Sequence, residues 1–466
     1  MAEYYDELLE LCGFETEEIN RERTRIEKVF QRLELRPEDM ESAESWVRQN
    51  HDIELRGVRK ILAIWLKELF DLVLAKDEDK KIVYFGFPTI AGPGMTIAAA
   101  SDNVYCACPD AVLCHTLGQI FNKLTPILEA GEQNGLPPGH GLCTLQAIRV
   151  GGMAKGIIPV PDMVITSSYY CDMGSKTDEL LHERYGHPAV YVDGSMDSKW
   201  GEFPGFQPER VEYWGGQLNK LITMAKEILD LDLTPEIWDK AMSSNKEIRS
   251  QVRKLSESMK ADPQPISLVE TELATLLITG STGKAMIYGA DAVATLNQEV
   301  QERINNGVGV VEKEAPRVMV FLASFSDPRI MHMIENVGLA CPVMLMSAPL
   351  RMEPWQTTYT TTGETRAETQ LKVGIYHSSY AVAKRWSEVV EDFNLDGSIW
   401  GYQYNCRPLA IPSHFLPKFV EETTGLPALS LEMDYYDSRN YGAETLRTRV
   451  ETFAEMLRAK KASARI

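Results

Sequence analysis

Three cysteines occupy positions that favour metal–thiolate chemistry. Cys143 follows the segment GHGL and enters a predicted helix, whereas Cys171 and Cys406 each stand at the end of a predicted strand. Helix N-termini and exposed backbone amides stabilise thiolates by donating N–H groups. Three thiolates can hold a cubane and leave its fourth iron open, by the logic that leaves a catalytic zinc one free position. The alternative is that each is a packing residue, because free cysteines are often buried.

Three further cysteines lie together in the segment CACPDAVLC. Cys106, Cys108 and Cys114 could raise the ligand count to six, or they could simply pack at the start of a helix. None of the eight cysteines forms a CxxC pair, which excludes zinc-ribbon and ferredoxin patterns with closely spaced ligands. Any cluster must therefore be assembled from distant loops, and soft sulfur donors alone do not decide between iron and zinc.

Two residues are candidates for acid–base chemistry. His140 stands close to Cys143 and could donate to a cluster sulfide or act as an acid, or it could cap a turn. Asp434 lies in the segment EMDYYDSR, where burial and a neighbouring arginine could poise a strand-end carboxylate for catalysis. The alternative for this segment is an ion pair between Asp437 and Arg439 that connects the last loop to the sheet.

The segment ITGSTGKAM superficially suggests a phosphate-binding loop. Its spacer between Gly280 and the Gly283–Lys284 pair is shorter than that of a P-loop, and Ala285 stands where a P-loop has Ser or Thr. The surrounding pattern is helical, whereas a P-loop follows a strand. We therefore expect no ATP site on this chain.

The elements that would position these residues alternate between strand and helix in two regions. The pattern predicts a helical N-terminal arm (1–80), a first α/β domain with Cys143 and Cys171 (81–232), a helical bridge (233–310) and a second α/β domain with Cys406 (311–466). Alternating strands and helices favour parallel sheets. The predicted fold class is α/β, with two Rossmann-like (flavodoxin-like) parallel-sheet lobes. Ligands bind beyond the carboxyl ends of such strands, so facing lobes could bring the cysteine loops to one site.

Composition excludes several classes of function. The chain has 466 residues and a formal net charge of −19, which repels nucleic acid and anionic membranes. Its acidic start lacks the basic flank and apolar run of a secretory signal, and no segment has the apolar length of a membrane span. We expect a cytoplasmic protein whose cysteines are free thiols, metal ligands or catalytic groups, with no nucleic-acid or membrane partner.

The C-terminal segment resembles the end of 2-hydroxyacyl-CoA dehydratase subunits, a family that includes the benzoyl-CoA reductases. YQYNCRPLAIPSHFLPKFVEETTGLPALSLEMDYYDSR contains a strand-end cysteine, an amphipathic helix, a Gly-Leu-Pro turn, a strand ending in Glu-x-Asp and then Asp-x-Arg. The blocks GLCTLQAIRVGGMAKGIIPVPDMVITSSYYCD and PRVMVFLASFSDPRIMHMIENVGLACPVML are similar to the same family in the same order. The resemblance is that of a dehydratase D-component-like subunit and covers roughly residues 81–460.

This resemblance implies a cofactor, a substrate class and partners. In the family, three cysteines hold a 4Fe-4S cluster, and the matching motifs assign that role to Cys143, Cys171 and Cys406. The substrate would be a CoA thioester, dehydrated by an oxygen-sensitive radical mechanism (a lyase reaction) or reduced on an aromatic ring. A separate ATP-hydrolysing iron–sulfur activator would inject the electron, and the chain would pair with a homologous second subunit or with itself. The open iron would bind a substrate oxygen as a Lewis acid.

The resemblance leaves alternatives open. Many dehydratase subunits carry a Lys-rich stretch after the second cysteine, whereas Cys171 is followed here by Asp-Met-Gly-Ser-Lys, so the substrate class is not fixed. Some relatives hold a double-cubane (8Fe) cluster and reduce small molecules, which would recruit Cys106, Cys108 or Cys114. A cluster-free scaffold or partner subunit is the remaining alternative.

Overall fold

The computed structural model describes most of the chain. The described residues are 3–86, 91–138, 141, 143–168, 171–194, 198–280, 283–321, 326–344, 357–374, 377–403, 405–406, 410, 412–440 and 442–463. Within these ranges, no helix combines the length and the apolar character that crossing a bilayer requires.

The N-terminal arm is helical, as its apolar spacing predicts. It consists of α1 (Asp6–Leu11), α2 (Thr16–Arg32), α3 (Pro37–Asn50) and α4 (Arg56–Leu74). Helix α3 begins with a proline at its first position, and the Asp39 carboxylate accepts a hydrogen bond from the Arg36 N–H at 2.8 Å, which satisfies the backbone N–H of the N-cap residue. Helix α4 is buried along almost its whole length, so it forms the centre of the arm.

The first lobe is built on a parallel sheet with the strand order β2-β1-β3-β4. Its strands are β1 (Lys81–Phe85), β2 (Val104–Ala107), β3 (Met163–Thr166) and β4 (Ala189–Tyr191). Strands β1 and β3 are almost entirely apolar and buried, which is typical of a parallel sheet covered on both faces. The short β2 was not predicted.

Helices α5 to α9 cover this sheet. They are α5 (Ala91–Ala100), α6 (Pro109–Leu113), α7 (Thr125–Gln133), α8 (Thr144–Ala154) and α9 (Asp172–Tyr185), with a π-helical turn at Cys114–Gly118. Helices α7 and α8 cross in direct backbone contact, because a Cβ atom at Gly151 would lie 1.9 Å from the Ile127 carbonyl oxygen. Helix α8, which follows Cys143, is therefore held tightly against its neighbour.

The segment between the two sheets is helical. It contains α10 (Pro208–Leu229), α11 (Pro235–Ser258), α12 (Leu268–Gly280) and α13 (Ala290–Asn305), with a π-helical turn at Ala285–Gly289. Helix α10 buries Val211, Trp214 and Leu218 in a core cluster with strand residues of the first sheet.

The second lobe repeats the topology of the first. Its parallel sheet has the order β6-β5-β7-β8, with β5 (Arg317–Phe321), β6 (Ala340–Met344), β7 (Gly397–Gln403) and β8 (Ala428–Met433). Its helices are α14 (Arg329–Asn336), α15 (Thr362–Val373), α16 (Ser379–Asp392), α17 (Leu416–Thr424) and α18 (Ala443–Ser463). In both lobes the second strand lies outside the first, as at the start of a flavodoxin-like sheet. The predicted α/β fold with two parallel-sheet lobes is confirmed.

The two lobes are connected by elements that are distant from one another in sequence. Helix α15 packs against α10 so closely that a Cβ atom at Gly363 would lie 2.2 Å from the Gly215 carbonyl oxygen. The end of α3 contacts both lobes: Trp46 donates to the Gln119 carbonyl at 2.9 Å, and the His332 ring lies 2.9 Å from the Asn50 carbonyl. The lobes therefore share packing with each other and with the arm.

Candidate functional site

Two of the predicted ligands stand directly before the first residue of a helix. Cys143 is the N-cap residue of α8, and Cys171 is the N-cap residue of α9. Both have extended backbone geometry, so each helix directs its unpaired N–H groups towards the region of the cysteine. A thiolate at either position is favoured by the positive end of the helix dipole.

The third predicted ligand comes from the second lobe. Cys406 follows β7, and its backbone N–H donates to the Gln403 carbonyl at 2.9 Å. Its side chain is half-buried, like that of Cys171, whereas Cys143 is buried. The site therefore lies beyond the carboxyl ends of β3 and β7, where ligands bind in parallel sheets.

The Cys143 thiol lies close enough to the thiols of Cys171 and Cys406 for their charges to interact. Burial raises the pKa of the Cys143 thiol well above its usual range, and the charges of Cys406 and Cys171 raise it further, whereas the backbone N–H of Leu145 lowers it. Thiols from three separate loops, contributed by both lobes, are thus brought together.

This arrangement differs from that of a single metal ion. In the described part of the chain, no three His, Cys, Asp or Glu side chains converge on a point where one ion could sit. A mononuclear site needs every sulfur within about 2.3 Å of one metal. A larger group with several metal atoms accepts ligands that are farther apart, and its chemistry suits thiolates.

Asp434 connects the cysteine-bearing helix of the first lobe to the second sheet. Its Oδ2 accepts a hydrogen bond from the Thr144 hydroxyl at 2.5 Å and from the Asn440 amide at 3.0 Å. Its Oδ1 accepts from the Gln403 amide at 3.1 Å and from the backbone N–H groups of Tyr436 and Asp437 at 3.0 and 3.2 Å. Because Thr144 directly follows Cys143, this carboxylate fixes the start of α8.

The chemistry of Asp434 follows from these partners. Burial raises the pKa of its carboxyl, and the hydrogen bonds of Thr144, Asn440 and Tyr436 oppose that shift only in part. A carboxylate offers about four acceptor positions, so the five donors leave none of them open. Asp434 therefore has a structural role, and its part in catalysis stays a prediction.

The neighbouring acidic residue forms an ion pair. Arg439 donates to both oxygens of Asp437 at 2.9 and 2.8 Å, and it also reaches Glu132 on α7 at 2.6 Å. The ion pair that the structural alternative for EMDYYDSR predicts is therefore present, but Arg439 connects the last loop to α7 of the first lobe rather than to the sheet.

The additional cysteines occupy different environments. Cys106 lies within β2, and Cys108 caps α6; both are buried in the core cluster on the α10 side of the first sheet. Cys114 begins the π-helical turn, and its charge interacts with that of Asp434. Cys114 is thus the member of this group whose charge interacts with a residue of the candidate site.

The sequence reasoning missed Tyr436. Burial raises the pKa of its hydroxyl well above the usual range, and the charges of Cys143, Cys114 and Cys406 raise it further. The signal available was its position, two residues after Asp434 in a segment already singled out. His140, the other predicted acid–base residue, lies outside the described residues.

The Gly-Lys segment contacts a carboxylate of the protein itself. The backbone N–H groups of Gly283 and Lys284 donate to Glu68 on α4 at 3.1 and 2.6 Å, and the Lys284 ammonium lies 3.0 Å from Asp71. These amides, which a phosphate loop would offer to a nucleotide, are used in packing α4 against the bridge.

Comparison with known proteins adds an independent observation. A family model described as "2-hydroxyglutaryl-CoA dehydratase, D-component" matches residues 97–457, which include all three predicted ligands. The chain is 22% identical over 325 residues to the (R)-phenyllactyl-CoA dehydratase alpha subunit of Clostridium sporogenes, covering 69% of this chain and 77% of that protein. It is 20% identical over 308 residues to the (R)-2-hydroxyglutaryl-CoA dehydratase subunit alpha of Acidaminococcus fermentans, covering 65% and 61%. It is also 20% identical over 317 residues to the lactoyl-CoA dehydratase subunit alpha of Anaerotignum propionicum, covering 66% and 72%.

Proposed function

Because the chain belongs to the 2-hydroxyglutaryl-CoA dehydratase D-component family, we propose that it is the iron–sulfur subunit of a 2-hydroxyacyl-CoA dehydratase. The observation that carries the proposal is the convergence of Cys143, Cys171 and Cys406 from separate loops of both lobes. The substrate class is a CoA thioester, as the names of the three dehydratase relatives suggest.

The donor set fits a cubane held by three ligands. Two thiols are placed at helix N-termini, where thiolate is stabilised without a neighbouring cation, and the third reaches them from the opposite lobe. A 4Fe-4S cluster bound by them would supply one-electron and Lewis-acid chemistry.

The protein's own residues determine the surroundings of that chemistry. Cys143, Asp434 and Tyr436 are buried, which limits access of water to this side of the site. Asp434 keeps Thr144, and therefore the Cys143 loop, in place. Burial and the thiolate charges of Cys143, Cys114 and Cys406 raise the pKa of the Tyr436 hydroxyl, so this hydroxyl would keep its proton beside the thiols. It would therefore act in this site as a hydrogen-bond donor.

Two partners belong to the proposal. The relatives are named as alpha subunits, so we propose a second, homologous subunit that completes the substrate pocket. A separate ATP-hydrolysing activator would supply the electron. The Gly283 and Lys284 amides donate to Glu68, so this segment does not offer them to a nucleotide.

A double cubane is the second candidate, and the placement of Cys106 and Cys108 disfavours it. Both are buried in the core cluster on the α10 side of the first sheet, which does not include Cys143, whereas the charge of Cys114 interacts with that of Asp434. One cubane corresponds to about four irons and four sulfides per chain and two cubanes to about eight of each. Metal content therefore separates the two candidates.

The test begins with anaerobic purification of the wild-type chain, Cys406→Ser and the matched control Cys12→Ala. Cys12 is buried in the helical arm, so its replacement removes a thiol that the proposal does not use. We expect about four irons in wild type and control and at most a small fraction in Cys406→Ser. The loaded chain, with a one-electron activator, ATP and its partner subunit, should convert a 2-hydroxyacyl-CoA to the enoyl-CoA. Absence of iron from the wild-type chain would overturn the proposal in favour of a scaffold subunit.

A further inference from the structure

A buried charged cluster connects α8 and α9, the two helices that begin directly after Cys143 and Cys171. Arg149 on α8 donates to both oxygens of Asp110 at 2.9 and 2.6 Å, to Asp178 on α9 at 2.6 Å and to the Phe85 carbonyl at 3.3 Å. The side chains of Arg149, Asp110 and Asp178 are 3%, 2% and 1% exposed. We call these three residues the Arg149 cluster.

The cluster connects the helices to one another and to the first sheet. Asp110 belongs to α6, Arg149 to α8 and Asp178 to α9, while Phe85 is the last residue of β1. A guanidinium is planar and presents its N–H groups in a fixed fork, so a side chain that pairs with two carboxylates constrains their relative orientation. Among the described residues, the second oxygen of Asp178 accepts no hydrogen bond, whereas its first oxygen accepts one from Arg149.

The distance between the Arg149 cluster and the thiols determines which role Arg149 can have. Arg149 lies six residues beyond Cys143 along α8, or roughly 9 Å along the helix axis, and Asp178 lies a similar distance beyond Cys171. The Arg149 cluster therefore sits below the thiols rather than among them. It acts on the positions of the helix starts and does not touch a reacting atom.

We propose that Arg149 is a positioning residue that fixes, through Asp110 and Asp178, the relative placement of the helix starts carrying Cys143 and Cys171. This inference rests on the proposed function for its meaning, because the spacing of those two thiols determines how they share one cubane. Burying three charged groups costs free energy, and apolar side chains in their place could stabilise the first lobe equally well. Stability alone therefore does not account for the Arg149 cluster.

The test compares conservative substitutions that differ in which contacts they keep. Asp178→Asn keeps the Arg149–Asp110 pair and weakens the connection to α9. Arg149→Lys keeps the positive charge, but an ammonium cannot span both carboxylates and the Phe85 carbonyl. Arg317→Lys is the matched control, because Arg317 is also buried and donates to the Phe393, Ala261 and Met259 carbonyls in and beside the second lobe.

The first readout uses the loaded chain. Substitutions in groups that orient metal ligands typically cost about 10- to 100-fold in metal affinity. We expect iron release to a chelator to be about tenfold faster in Asp178→Asn and Arg149→Lys, with a changed g-value spread in the electron paramagnetic resonance spectrum of the reduced cluster. Arg317→Lys should retain the wild-type release rate and spectrum.

The second readout needs no cluster. In the metal-free chain, hydrogen exchange of the first turns of α8 and α9 should be about tenfold faster in Asp178→Asn and Arg149→Lys than in wild type or Arg317→Lys. If the wild-type chain binds no iron, the proposed function fails, yet this exchange still decides whether the Arg149 cluster orders the helix starts. Wild-type exchange and spectra in both cluster variants would overturn the inference, as would equal effects in Arg317→Lys.

Discussion

Replacing Asp434 by asparagine separates a structural role from proton transfer. Asparagine keeps the shape of the side chain but exchanges one oxygen for an NH2 group, which cannot accept a hydrogen bond. With its NH2 at the Oδ2 position, the new residue would face two donors, the Thr144 hydroxyl and the Asn440 amide. The three donors on the Oδ1 side would keep their acceptor.

The expected loss follows from these contacts. A hydrogen bond to a charged group contributes about 1.5–3 kcal/mol, so losing two sets a ceiling of about 3–6 kcal/mol. The Thr144 hydroxyl can rotate to accept from the new amide, which reduces the loss. Asparagine also avoids the desolvation that raises the pKa of Asp434. We therefore expect the free energy of unfolding to fall by about 2 kcal/mol.

The assay is urea unfolding followed by tryptophan fluorescence, with iron content and turnover measured on the same preparations. Glu432→Gln is the control, because Glu432 lies on β8, which ends one residue before Asp434, but is exposed and accepts a hydrogen bond from the Tyr402 hydroxyl at 3.1 Å. We expect Asp434→Asn to lower the urea midpoint and the iron content together, and Glu432→Gln to change neither. A wild-type midpoint and full iron content with turnover reduced more than about 100-fold would refute this reasoning and make Asp434 a catalytic acid or base.

Further predictions concern His332 and two helix glycines, Gly151 and Gly216. Burial would lower the pKa of His332, but Glu335 and Glu270 raise it above its ordinary 6.5. The stability that this imidazolium contributes is complete below pH 6.5 and is lost as pH rises through the raised pKa, so the urea midpoint should fall as pH rises above 6.5 and His332→Gln should flatten the dependence. An equal pH dependence of the urea midpoint in wild type and His332→Gln would contradict this prediction. Gly151→Ala should lower stability by about 1–3 kcal/mol, because its methyl group would meet the Ile127 carbonyl. Gly216→Ala, where a Cβ atom has no neighbour within 4 Å, should raise stability by up to about 1 kcal/mol. A stable Gly151→Ala would mean that α7 and α8 do not cross as described.

Much of the fold could be predicted because the strands are nearly continuous apolar runs. KIVYF, MVIT and RVMVF are buried on both faces, and such runs between helical patterns indicate parallel sheets. The strand Val104–Ala107 was not predicted, because its four residues are too few to show an apolar strand pattern. It is followed directly by the Cys108–Pro109 pair at which the next helix starts. The packing of α15 on α10 escaped it because residues that are distant in sequence make the contact.

The candidate site was predictable in its residues but not in its geometry. Motif resemblance assigned Cys143, Cys171 and Cys406, whereas nothing in their spacing encodes that the three thiols approach one another. Asp434 was singled out as a strand-end carboxylate, but its bond to Thr144 joins positions 290 residues apart. Long-range pairing of this kind follows from how the lobes pack, and local patterns do not record it.

The placement of the thiols makes the lobe interface part of the site. Two of the predicted ligands belong to the first lobe and one to the second, and the contacts that connect the lobes include Asp434 with Thr144 and Arg439 with Glu132. A small shift of one lobe would change the distances from Cys406 to the other thiols without disturbing either sheet. A group bound by all three thiols would bridge the lobes, and its binding energy would add to the stability of their closed arrangement. Loss of Cys406 should therefore loosen the interface as well as release iron, whereas a defect within the Arg149 cluster should loosen α8 and α9 and leave the interface contacts of Asp434 and Arg439 in place.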